Sequence, residues 1–208
     1  MKEKPILFST DMVRAILDGR KTQTRRIVKH EISCDTYQIE QNFLDETVYL
    51  QYSIDGLFIE PYITCPYGQQ GDVLWVRERF CKDFLNRYWY YQQFDFKNRY
   101  HYVHDSKRNE EIQFKANDFK PSIHMPKAAA RIWLKIESIA VERLQDITEQ
   151  DAIAEGIIHK SMNDPKVEFQ HLWQSINGPD SWAQNPWVWV VKFKVLSTTG
   201  KPTNLLTQ

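Results

Sequence analysis

The chain has 208 residues, of which 42% are hydrophobic and 13% aromatic, so it can bury a core and wholesale disorder is excluded. Its 27 Lys and Arg residues balance its 27 Asp and Glu residues, so any binding to nucleic acid requires a local basic patch. No apolar run approaches the roughly 18 residues that cross a bilayer, and the N-terminus lacks the apolar segment of a signal peptide. Cys34, Cys65 and Cys81 are widely spaced, which fits a reducing compartment and neither a disulfide framework nor a zinc ribbon. We therefore expect a cytoplasmic protein without a membrane partner.

The first predicted elements lead into a short basic segment. Apolar residues 6–8 predict a strand, and Ser9 and Thr10 can cap the helix that follows, whose apolar stripe includes Met12 and Ile16. Gly19 is placed to end this helix in the left-handed conformation. A strand is predicted over residues 22–28, where β-branched residues are frequent.

Two stretches, at about 30–66 and 82–120, are rich in turn and aromatic residues, and we interpret both as insertions. Between them, residues 73–77 predict a buried strand. A long strand is predicted over 131–144, with a bend near Ser138. The next helix opens with a capping box at 148–151 and ends at Gly156. A helix from Pro165 to Gly178 and a strand over 187–195 complete the predicted elements.

These elements predict a single α+β domain over residues 1–197, followed by a flexible polar tail over 198–208. Strands near both ends of the domain can pair and so remove the exposed edges of the sheet. We therefore expect a small mixed β-barrel with short flanking helices and two insertions.

The basic segment over residues 20–26 holds four cations and two hydroxyls, namely Arg20, Lys21, Thr22, Thr24, Arg25 and Arg26. Strict strand alternation places Thr22, Thr24 and Arg26 on one face and Lys21 on the other, unless the turn after Gly19 redirects the lysine. A lysine can take the proton of a threonine hydroxyl only when burial or neighbouring cations lower its pKa. The segment is therefore either a site that activates a hydroxyl or a solvated, basic strand edge.

Glu155 is the second candidate residue, because it lies at the end of a predicted helix. There the helix dipole disfavours an anion by a few tenths to about 1 kcal/mol. The carboxylate is either exposed to solvent, or paired with a cation or kept partly protonated as an acid. In the second case Lys21, Thr24 and Glu155 form a set of base, nucleophile and proton donor.

Metal and cofactor sites are not predicted. His101 and His104 point to opposite faces of a predicted strand, which does not favour a shared metal ion. The chain has no glycine-rich loop of the kinds that bind dinucleotides or nucleoside triphosphates. We expect neither a metal nor a cofactor.

With these residues set out, the chain resembles the ASCH family, small β-barrels related to the PUA fold of RNA-binding proteins. The resemblance is carried by LDGRKTQTRR at 17–26, GDVLWVRE at 71–78, KPSIHMP at 120–126, VERLQDIT at 141–148 and NPWVWVV at 185–191. It extends over nearly the whole chain and is strongest to phage and prophage members. The resemblance implies an amidohydrolase that removes the acetyl group of N4-acetylcytidine. By the same resemblance, Lys21 is the base, Thr24 the nucleophile and Glu155 the proton donor, and Arg26 steadies the oxyanion.

The expected partner is a modified nucleoside or a nucleic acid, and no protein partner is indicated. We expect Arg20, Thr22, Arg25 and Arg26 to bind the substrate. The chain is longer than the minimal ASCH domain, and it carries Arg25 where the resembling enzymes tend to have an apolar residue. Two alternatives remain open: a module that binds RNA or single-stranded DNA without turnover through the same basic strand, and a nuclease, for which the sequence offers no metal-ligand cluster.

Overall fold

The computed structural model describes residues 1–29, 36–41, 48–54, 57–94, 101–106, 109–158 and 164–203. The strands in these ranges are β1 Glu3–Leu7, β2 Gln23–Ile27, β3 Thr36–Gln41, β4 Val48–Ile54, β5 Leu57–Thr64, β6 Val73–Arg77, β7 Phe80–Lys82, β8 Tyr88–Tyr90, β9 His101–Asp105, β10 Glu110–Phe114, β11 Trp133–Arg143 and β12 Trp187–Ser197. The helices are α1 Thr10–Leu17, α2 Glu149–Ala154 and α3 Pro165–Asn177. The fold is mixed α+β with a core built mainly from a sheet, which confirms the predicted class.

The central sheet has five strands in the order β1-β6-β11-β12-β2, and only β1 and β6 pair in parallel. The predicted barrel is wrong, because β1 and β2 are the two edges of this sheet and are not joined by strand pairing. Strands β1 and β2 are instead linked by a side chain, because Nη2 of Arg26 in β2 donates to the carbonyl oxygen of Leu7 in β1 at 2.6 Å. Among the described residues the sheet is therefore open, and the free edge of β2 has no strand partner.

The two faces of the sheet carry separate apolar clusters, because side chains alternate along each strand. On one face, Trp189 and Val191 of β12 pack in a buried cluster that includes Ile16 of α1. On the other face, Val188 and Val190 belong to a cluster built largely from α2 and α3. The helices thus cover both faces near strand β2.

Most helix ends lie where the sequence predicts them. Ser9 caps α1 through the Met12 backbone N–H, and Thr148 caps α2 in a capping box with Asp151. Helix α3 begins at Pro165 and is followed by Gly178. Where the sequence predicts a bend in β11, the register of this strand against β12 shifts between Ile136 and Ser138.

Both predicted insertions contribute strands to small antiparallel sheets, β3-β4-β5 in the first and β7-β8 and β9-β10 in the second. Parts of each insertion, including Cys34, lie outside the described residues. In the predicted tail, the Gly200 backbone N–H donates to the carbonyl oxygen of Arg131 at 2.9 Å, and Lys201 pairs with Glu3 at 2.8 Å. Residues 204–208 lie outside the described part of the chain.

Among the helices of the described residues, none has both the length and the apolar character needed to cross a membrane.

Candidate active site

A turn between α1 and β2 determines the direction of Lys21. Gly19 adopts a positive φ of 72°, and the backbone N–H groups of Arg20 and Lys21 both donate to the carbonyl oxygen of Ala15, at 2.9 and 3.0 Å. Lys21 then forms an isolated antiparallel bridge with Glu155 before β2 begins. The turn therefore removes Lys21 from the strict alternation of the strand and directs it to the end of α2.

Gly156 allows the ends of α1 and α2 to approach each other. Its φ of 94° lies in the left-handed region that favours glycine. A Cβ at this position would lie 2.7 Å from the Cβ of Ala15 and 3.0 Å from the Cβ of Lys21. The close contact that brings Lys21 beside Glu155 therefore depends on a glycine here.

The side chains of Lys21 and Glu155 form a buried ion pair, with 0% and 4% of their surfaces exposed. The Nζ atom of Lys21 donates to Oε2 of Glu155 and to the backbone carbonyl of the same residue, both at 2.9 Å. Burial lowers the pKa of Lys21, Glu155 opposes this effect, and the cations Arg26 and Arg25 add to it. The net effect is a lowered pKa, which a lysine needs in order to act as a base.

Thr24 lies in β2, three residues after Lys21, and is 1% exposed. Together with Glu155 it lines a cavity of about 220 Å³ along the free edge of the strand. The other lining residues are Met12, Arg25, Arg26, Ile27, Lys29, Tyr67, Phe169, Leu172, Trp173, Ile176 and Asn177. Within the described residues, the Thr24 hydroxyl makes no hydrogen bond, either to Lys21 or to any other group.

Three buried N–H donors on lining residues have no acceptor among the described residues: Nε of Arg25, Nε of Arg26 and Nε1 of Trp173. The guanidinium carbon of Arg26 also lies 5.3 Å from the centroid of the Phe8 ring. Burial lowers the pKa of Arg26, although a guanidinium keeps its charge in proteins. Three residues that line the cavity thus each hold a buried donor without an acceptor among the described residues.

Two of the predicted substrate-binding residues lie apart from this cavity. Arg20 donates to the carbonyl oxygen of Gly156 at 2.6 Å and to Asp18 at 2.8 Å, and it lines a different groove, near Arg14 and His171. Thr22 is exposed, and its backbone N–H donates to the carbonyl oxygen of Ala154 at 2.9 Å. The structure thus brings together Lys21, Thr24, Arg25, Arg26 and Glu155, and leaves Arg20 and Thr22 outside.

The sequence did not identify the wall that α3 contributes. On the helix predicted after Pro165, the apolar residues Phe169, Leu172, Trp173 and Ile176 share one face, and such a face is ordinarily core. In the structure this face also covers the free edge of β2 and so closes the cavity. The sequence also provided no indication that Asp151 and Glu142 pair with Arg25.

Within the described ranges, no group of three or more His, Cys, Asp or Glu side chains is arranged to hold a metal ion. Comparison of the chain with protein-family models, with curated proteins and with solved structures gives no significant match. The chemistry of the site is therefore inferred from its residues and their geometry.

Proposed function

We propose that the protein hydrolyses the amide bond of an N4-acylated cytosine nucleoside, such as N4-acetylcytidine, and that its open sheet is a variant of the PUA-like, ASCH-type fold. The observation that carries this proposal is the buried Lys21–Glu155 pair, at 2.9 Å, whose Glu155 lines the same cavity as Thr24. These three side chains supply a base, a proton donor and a nucleophile without calling on a metal ion.

The first step moves one proton within the ion pair. Transfer from Nζ of Lys21 to Oε2 of Glu155 converts two buried charges into a neutral amine and a neutral carboxylic acid. Burial favours this conversion, because desolvation disfavours each charged form. The same transfer therefore prepares the base and the acid that amide hydrolysis needs.

In the second step, the Lys21 amine takes the proton of the Thr24 hydroxyl while Oγ1 attacks the acyl carbon. The C–N bond breaks, and Glu155 gives its proton to the departing N4, which leaves as the amino group of cytidine. A water molecule then attacks the acyl–Thr24 ester, giving one proton to Glu155, while Lys21 returns its proton to Oγ1. The carboxylic acid leaves, Thr24 regains its hydroxyl, and Lys21 and Glu155 are again the neutral amine and acid that start the second step. Return of the proton from Glu155 to Lys21 restores the ion pair.

The second step requires a hydrogen bond between Lys21 and Thr24, which is not among the hydrogen bonds of the described residues. Catalytic hydrogen bonds of this kind often tighten only when the substrate is bound. Arg26 supports the step, because it lies on the same wall and its Nε has no acceptor among the described residues. A guanidinium there can donate to the oxyanion that develops on the acyl carbonyl.

The size of the cavity favours a nucleoside over a polymer. Its volume of about 220 Å³ is below the roughly 300–1,000 Å³ of pockets that enclose drug-sized ligands, so it suits one base with a small acyl group. The basic segment also offers little to a nucleic-acid backbone, because the side chains of Lys21 and Arg25 are 0% exposed. These two observations favour the enzyme over the binding module.

The proposal is tested by incubating the purified protein with N4-acetylcytidine and measuring cytidine by liquid chromatography. Thr24→Val, which replaces the hydroxyl by a methyl group, is expected to abolish turnover, whereas Thr24→Ser keeps a hydroxyl and retains part of it. Thr22→Val makes the same change on an exposed threonine outside the cavity, and it is expected to leave kcat close to wild type. A wild-type protein that leaves N4-acetyl- and other N4-acylcytidines intact would refute the proposal.

A further inference from the structure

Arg25 is a buried cation that joins three carboxylates. Its side chain is 0% exposed, and Nη1 donates to Oε1 of Glu155 at 3.3 Å. Its Nη2 donates to Oε2 of Glu142 at 2.9 Å and lies 3.3 Å from Oδ2 of Asp151. An arginine in this environment is stable only when it is paired, and its fork of donors allows several pairings at once.

We propose that Arg25 is a positioning residue for the reaction proposed above: it holds one oxygen of the Glu155 carboxylate and so directs the other to Lys21. The two oxygens are divided between the two cations, with Oε1 on Arg25 and Oε2 on the lysine. A glutamate at the end of a helix has rotatable bonds that would otherwise let the carboxylate turn away. Arg25 is thus a link between β2 and α2 that aligns the acid with the base.

The contact between Arg25 and Glu155 also brings the positive charge of Arg25 close enough to affect the protonation of Lys21. The charged groups around Lys21 are Arg25 and Arg26 from β2 and Glu155 from the end of α2, and Arg25 itself faces Asp151 and Glu142. Both arginines lower the pKa of Lys21, whereas Glu155 raises it. Removal of the charge at position 25 therefore favours the protonated lysine and moves its titration to higher pH.

Two variants distinguish the effect of the charge at position 25 from the effect of the hydrogen bonds that position Glu155: Arg25→Met removes both, and Arg25→Lys keeps the charge. In Arg25→Met, the pH dependence of kcat/KM is expected to move to higher pH, since the cation at position 25 lowers the pKa of Lys21. Arg25→Lys keeps a cation but cannot reach three carboxylates, so its profile stays in place while kcat falls about 10- to 100-fold from misalignment. Arg14→Met, which removes an exposed arginine that pairs with Asp11, serves as the matched control and is expected to change neither quantity.

The kinetic measurement rests on the proposed function, so a second measurement is made without substrate. Lysine labelled with ¹³C at Cε reports the titration of Lys21 by NMR, with the resonance assigned from Lys21→Met. Titration of this resonance at higher pH in Arg25→Met than in wild type supports the proposal even if no acylcytidine is a substrate. An unshifted titration overturns it, and so does an Arg25→Lys enzyme with wild-type kcat, which remains informative if Arg25→Met does not fold.

Discussion

The buried Lys21–Glu155 pair gives a stability prediction whose size follows from the structure. Glu155→Gln leaves the Lys21 ammonium, 0% exposed, facing a neutral amide. Loss of one partner from a buried ion pair costs about 3–5 kcal/mol. The backbone carbonyl of Glu155 still accepts from Nζ at 2.9 Å, and the lysine can release its proton, so we expect the lower end of that range, about 3 kcal/mol at neutral pH.

The double variant Lys21→Met/Glu155→Gln contains neither charge. It is therefore expected to be less destabilised than the sum of the two single variants, with a coupling energy of about 2 kcal/mol. Urea denaturation followed by tryptophan fluorescence measures the free energy of unfolding of all four proteins. A coupling energy near zero would contradict the claim that Lys21 and Glu155 stabilise the fold as an ion pair.

The pH dependence of the same variants provides a second, signed test. The pKa of Lys21 in the folded protein is lowered below its unfolded value of about 10.4, so the unfolded state binds more protons between the two values. Stability therefore rises with pH across that window, and Lys21→Met lacks this rise. The loss caused by Glu155→Gln should shrink as the pH approaches about 10, because a neutral lysine no longer needs the carboxylate. A loss that stays constant with pH would refute this reasoning.

Two further predictions concern single contacts away from this ion pair. Gly156→Ala is expected to lower the free energy of unfolding by at least about 2 kcal/mol and to abolish turnover. Gly71 has a similar φ of 85°, but no atom lies within 4 Å of a Cβ added there. Gly71→Ala should therefore cost only the backbone strain of about 1–2 kcal/mol, and urea denaturation measures both variants. Burial opposes ionisation of Asp83, but hydrogen bonds from Trp89 and Arg87 lower its pKa to about 2. The ionised Asp83 carboxylate therefore stabilises the fold above about pH 4, and this stabilisation is lost as the pH falls towards 2. In an acid-denaturation series, Asp83→Asn should lack this loss of stability between about pH 4 and 2.

Features that depend on near neighbours in the chain were predictable. Ser9, Gly19, Thr148 and Gly178 act within a few residues, through caps and backbone conformation, and all four mark helix ends in the structure. The closure of the sheet was not predictable in this way. It depends on whether two edge strands far apart in the sequence meet, and here the Arg26 side chain contacts Leu7 where strand pairing would be needed.

The same distinction applies to the site. The turn after Gly19 could re-aim Lys21, but only the structure shows that it does so, towards a residue 134 positions away. Arg25 illustrates the opposite case, since the sequence placed it with the substrate-binding cations. Its partner Glu142 lies 117 positions away, and nothing in the local sequence of either residue indicates that they meet.

The most direct measurement is the search for an acyl group on Thr24 during turnover. The protein is mixed with N4-acetylcytidine, quenched in acid within the first turnover, digested and mapped by mass spectrometry. We predict one acetyl group on the peptide that contains Thr24, absent from Thr24→Val. Rapid formation of cytidine by Thr24→Val, or an acetyl group on a different residue, would contradict the proposed mechanism.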